Sequence, residues 1–141
     1  MESMGVDPES EQEIFAGSFK GFVGNGLLII RDSDSTAVHS GWQDEDIHVE
    51  ASSVYLCVQH PVDGPVVVDV FEGGPAGRPC NDITALDGSI NSQFGTFILH
   101  DPIDDIRLVV RTDHPGDSRL QILVDELPRP SRVKIYFWHE F

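Results

Sequence analysis

The sequence is poor in bases and poorer still in reactive motifs. Its 141 residues include nine Lys and Arg against 24 Asp and Glu, a formal net charge of −15. That balance argues against nucleic acid as a ligand, because phosphate binding depends on Lys and Arg displacing condensed counterions. It argues equally against an anionic membrane surface. Cysteine is scarce: Cys57 and Cys80 are too few for a disulfide framework and stand in no CxxC spacing. Cys57 lies in an apolar run and reads as a small buried hydrophobe. Cys80 follows Pro79 in a loop, and a bridge between the two stays open. No apolar run approaches the ~20 residues of a membrane-spanning helix. The opening MESMGVDPESEQE is acidic and polar, the opposite of a signal peptide. A reducing, cytoplasmic setting is the expectation.

Reactive patterns are missing as well. Neither HExxH nor GxSxG occurs, and His39, His48, His60, His100, His114 and His139 stand singly, outside zinc spacings. Gly24-Asn25-Gly26 runs into a strand rather than a helix, so it does not make a phosphate loop. Asp32-x-Asp34-x-Thr36 opens like an EF-hand loop. However, Ala37 stands where that loop needs Gly, and Gln43 where it needs Glu. No catalytic residue, metal ligand set or cofactor follows from these residues, and the chain is expected not to be an enzyme.

What is present is a series of short strands. Residues 1–13 are aperiodic and acidic and predict a mobile tail, with one domain over 14–141. A chain of this size buries roughly 68% of its unfolded surface, enough for its own core. Asn25-Gly26 favours a two-residue hairpin turn between Phe19–Val23 and Leu27–Arg31. The run Leu27–Ile30 does not alternate, which suits a strand covered on both faces. Ile47, Val49 and Ala51 share one parity, while Val54, Leu56 and Val58 share the other. A bulge or a bend between sheets is therefore expected at Ser52-Ser53.

Val66, Val68 and Val70 alternate with Val67, Asp69 and Phe71. Ile83–Ile90 reads as a hairpin broken at Asp87-Gly88. Phe94–His100 and Ile106–Arg111 follow, then Leu120, Ile122 and Val124 on one face. The last strand, Arg132–Trp138, puts Val133, Ile135 and Phe137 inward and Lys134, Tyr136 and Trp138 outward. About eight strands separated by turn signals predict an all-β fold, a single-domain antiparallel β-sandwich.

The stretch Arg31–Glu50 concentrates the functional signal. It holds six carboxylates, one base and a lone Trp42. Closely spaced acids beside an aromatic anchor suit a basic protein surface, where charge accelerates encounter and a few desolvated side chains hold the complex. The candidate partner-binding residues are Asp32, Asp34, Trp42, Asp44, Glu45 and Asp46. The alternative is a ligand-binding module. Its calcium site would use Asp32, Asp34, Asp101, Asp104 and Asp105 in end loops, or a carbohydrate would lie on an outward platform of Tyr136 and Trp138.

The order of features resembles the competence-associated DNA-entry nuclease inhibitor family. The apolar strand Leu27–Ile30 runs into Asp34-Ser35-Thr36, then Trp42-Gln43-Asp44-Glu45, and the valine-rich strand Val66–Val70 follows. The resemblance spans roughly Leu27 to Leu123, and only the D-S-T and W-x-D-E fragments match in letters. The intervening lengths differ, and the resemblance does not place the Gly/Pro-rich loop 73–81 or the final aromatic strand. The resemblance implies a small acidic β-rich inhibitor or immunity protein that occludes a nuclease partner, without turnover and without a cofactor.

Overall fold

The computed structural model describes residues 14–36, 39, 42, 45–74, 82–112 and 115–139. The expected tail 1–13 and the residues Asp44, Cys80 and His114 lie outside them. Ten strands form: β1 (Ile14–Gly21), β2 (Leu27–Asp32), β3 (Ile47–Glu50), β4 (Ser53–Cys57), β5 (Val66–Glu72), β6 (Ile83–Ser92), β7 (Thr96–His100), β8 (Arg107–Arg111), β9 (Gly116–Val124) and β10 (Arg132–Trp138). The helical elements among the described residues are two 3₁₀ turns, Gly24–Gly26 and Pro61–Asp63. No helix there is long and apolar enough to cross a membrane.

The strands make two five-stranded sheets, ordered β1-β5-β10-β9-β6 and β3-β4-β2-β7-β8. One core joins them. Val68, Val70, Ile122, Ile135 and Phe137 of the first sheet belong to the same buried cluster as Leu28, Ile30, Val54, Leu56 and Phe97 of the second. Phe97 and Phe137 stack across it, 4.6 Å between centroids. These are the alternating positions of β5, β9 and β10, where each fully buried aliphatic or aromatic side chain contributes about 1.5–3 kcal/mol. At one margin β1 of the first sheet packs against β8 of the second.

Four expectations change. There are ten strands rather than about eight, and one pair is parallel: β10 lies beside β5 with Val133 opposite Val68 and Ile135 opposite Val70. Remote strands need no tight turn between them, so nothing local forces antiparallel pairing. Secondly, Asn25 and Gly26 do adopt positive φ, 57° and 62°, but β1 and β2 are not a hairpin. β1 pairs with β5, and β2 pairs with β4 and β7 in the other sheet. Buried Val23 and the Gly24 N–H, which donates to Asp101 Oδ2 at 2.9 Å, turn the chain across the core instead.

Thirdly, the parity break at Ser52-Ser53 is a tight hairpin within one sheet. Glu50 faces Ser53 and Ile47 faces Leu56, so both apolar sets land on one face. Finally, Asp87-Gly88 does not turn. β6 runs straight through with Gly88 opposite Leu120, and its irregularity lies between Thr84 and Leu86.

Candidate functional site

The acidic stretch leaves β2 at Asp32 and rejoins the sheet at Ile47. These points sit at opposite ends of the molecule. Asp32 lies opposite Phe97 at the start of β7, whereas Ile47 lies opposite Leu56 near the end of β4. Between them, the described residues His39 and Trp42 lie on the outer face of β3-β4-β2.

The apolar side chains that face outward there are Leu27, Ile29 and Cys57, one pleat removed from Leu28, Ile30 and Leu56 of the core. Trp42 packs onto them and meets the Tyr55 ring edge-on, 5.4 Å between centroids. The unbroken run Leu27–Ile30 is explained in this way: one parity fills the core and the other lies beneath Trp42. Trp42 is half-buried. Its Nε1 is enclosed without a partner among the described residues.

His39 fastens the strap upstream. Its ring stacks on Tyr55 at 3.6 Å and 9°, and its Nε2 lies 2.9 Å from Ser53 Oγ. Its Nδ1 lies 2.8 Å from Nδ1 of His48 on β3, so one of the two rings donates and the other accepts. Burial holds the His39 imidazole below its ordinary pKa, the neighbouring His48 adds to this, and Glu50 partly opposes it. Trp42 is tied to His39 by its backbone N–H, 3.0 Å from the His39 carbonyl. Downstream, the Cys57 amide and thiol donate to the carbonyls of Asp46 and Glu45, at 2.9 and 3.3 Å. The singly spaced histidines hid this cluster. His39 and His48 meet only because the strap folds back over β3, and the one signal was the shared parity of His48 and Glu50 opposite Tyr55 and Ser53.

The six candidate residues separate. Asp34, Glu45 and Asp46 are exposed, and half-buried Trp42 packs onto Leu27, Ile29, Cys57 and Tyr55. Asp44 is outside the described residues. Asp32 is buried, and its carboxylate accepts the Ser92 hydroxyl at 2.6 Å. Ser92 Oγ in turn receives the amides of Gly95 and Thr96. Asp32 therefore ties the β6–β7 turn to β2 and offers no surface to a partner.

The ligand-site alternatives do not assemble. Asp32 and Asp34 stand at the end of β2 opposite the start of β7, while Asp101, Asp104 and Asp105 follow its other end. Asp101 is buried and accepts amides from Gly24 and Asp105. No group of three or more His, Cys, Asp or Glu able to hold a metal occurs among the described residues. Tyr136 is only 1% exposed. It stacks on Phe71 at 4.9 Å, and Phe15 meets Phe71 edge-on at 5.9 Å. Trp138 is half-buried with the Arg119 guanidinium over its ring. An aromatic row across β1, β5 and β10 thus replaces the expected open platform, because alternation sets only the side of the sheet, not what covers it.

No protein-family model matches the chain, and no curated protein matches it in sequence. Its fold, however, is similar to that of two solved structures. One is ComJ, inhibitor of the DNA degrading activity of NucA, from Bacillus subtilis. It aligns at a TM-score of 0.60 with 9% identity, over 91% of this chain and 98% of that one. The other is the product of crocagin biosynthetic gene J, at a TM-score of 0.60 with 14% identity, over 92% and 99%. The first supports the resemblance to the nuclease-inhibitor family at the level of the fold.

Proposed function

We propose that the chain is a non-enzymatic, cytoplasmic inhibitor or immunity protein, an acidic sandwich of two sheets that occludes a basic, nuclease-like protein. The observation that carries this reading is the likeness to ComJ over almost the whole of both chains, in a sequence with net charge −15. Occlusion requires a rigid body and a field of the right sign. The continuous core supplies the first. The exposed carboxylates of Asp34, Glu45 and Asp46, with Asp44 beside them in sequence, contribute to the second. Long-range attraction then raises the association rate, and exclusion of substrate needs no chemistry from the inhibitor.

The test uses the full chain immobilised as bait, with retained proteins released by salt and each assayed for nuclease activity against increasing free chain. A basic nuclease silenced at one-to-one stoichiometry is the expected result. Retention of acidic proteins alone, or nucleases unaffected by excess chain, would overturn the reading.

A further inference from the structure

The end of the molecule where β2 begins and β4 and β7 finish gathers three loops: 22–26, 58–65 and 101–106. Each presents a large apolar side chain to solvent. Phe22 is 60% exposed, Val62 84% and Ile103 59%. Side chains this exposed contribute nothing to the core, and their grouping at one end is not the scatter of single apolar residues found on ordinary surfaces.

The loops that carry them are fastened together. Buried Asp101 accepts the amide of Gly24 from one loop and that of Asp105 from its own, both at 2.9 Å. The Val58 amide donates to the Gly26 carbonyl at 2.8 Å. A Cβ on Gly24 would stand 2.9 Å from Ile103 Cδ1, so Ile103 lies directly over the 22–26 loop. The platform is preorganised, and little conformational freedom remains to be lost on binding.

Its rim is acidic. Asp63 and Asp105 are exposed beside the apolar positions. Glu45 and Asp46 reach the same end, where their carbonyls meet Cys57. The geometry points to this loop end as the docking surface for a basic protein partner, with Phe22, Val62 and Ile103 as apolar anchors among the exposed carboxylates of Glu45, Asp46, Asp63 and Asp105. A second copy of the chain is a poor occupant, since two acidic rims on bodies of charge −15 repel. This inference rests on the protein-binding reading above and assigns it a surface.

The experiment places the photo-cross-linker p-benzoylphenylalanine in the full chain at Phe22, Val62 or Ile103, with the exposed Gln93 and Phe94 at the opposite end as controls. Expected are cross-links from the first three positions to one basic protein. The Phe22→Ser/Val62→Ser/Ile103→Ser variant should then bind that purified protein at least tenfold more weakly with its melting temperature unchanged. Should that variant not fold, Val62→Ser alone carries the affinity test. Cross-links only from the control positions, or undiminished affinity, overturn the surface and leave the protein-binding reading standing. Cross-links between two copies of the chain overturn the choice of occupant. Absence of cross-links from every position overturns both.

Discussion

Two buried polar contacts separate what the residue types suggest from what the side chains do. Asp32 reads as a turn former in an acidic loop, and the local sequence carries no sign of Ser92, sixty positions later, to which it is bound at 2.6 Å. A hydrogen bond to a buried charged acceptor contributes about 1.5–3 kcal/mol. Ser92→Ala should lower unfolding free energy by that order with an unchanged denaturant slope, measured by urea titration. A loss below about 0.5 kcal/mol would show that Asp32 finds water instead.

His39 gives a pH dependence of definite sign. Its pKa in the folded chain lies below the ordinary 6.5, so the unfolded chain binds the proton more readily. Stability is therefore complete above pH 6.5 and is lost as the pH falls through the interval down to the folded value. Melting temperature should fall as the pH drops below about 6.5, and His39→Gln should flatten that slope. An identical slope in the variant would assign the effect to other groups.

At the scale of the element, alternation was a good guide and turn chemistry a partial one. β10 occupies Arg132–Trp138 as its period-2 pattern indicates, and β5 buries Val66, Val68 and Val70 as expected. Those strands were legible because burial on one face imprints a period on the sequence. The Asn25-Gly26 dipeptide fixed a backbone conformation but not a destination. Positive φ is equally usable in a hairpin and in a crossover between sheets, and the choice rests with Asp101, 77 positions from Gly24. The strap was similarly invisible, since nothing in Asp32–Asp46 records that Tyr55 and Cys57 lie beneath it.

The crossover makes its own prediction. Gly26 has φ of +62°, and a Cβ there would lie 3.0 Å from the Val58 carbonyl oxygen. Gly26→Ala should destabilise the fold by more than about 1 kcal/mol, whereas Gly116→Ala meets no atom within 4 Å and carries only the strain of its own φ of +100°. Thermal unfolding of the two variants side by side checks this, and equal losses would mean that backbone strain alone, not the close approach of Val58, sets the effect.

At the scale of the whole molecule, two sheets around one core hold an acidic strap on the outer face of one sheet and bring apolar loop tips to one end. The all-β class was readable from strand spacing. The surface was not, because exposure of Phe22, Val62 and Ile103 arises from loops brought together by contacts far apart in the chain.

The central claim is that charge steers this chain onto a basic, nuclease-like protein. The most direct measurement compares association rates of the chain and its Asp44→Asn/Glu45→Gln/Asp46→Asn variant with the captured nuclease across a salt series. The variant should associate on the order of tenfold more slowly at low salt. The gap should close as the screening length falls from ~10 Å at 0.1 M to ~3 Å at 1 M. Equal association rates at low salt would contradict the claim.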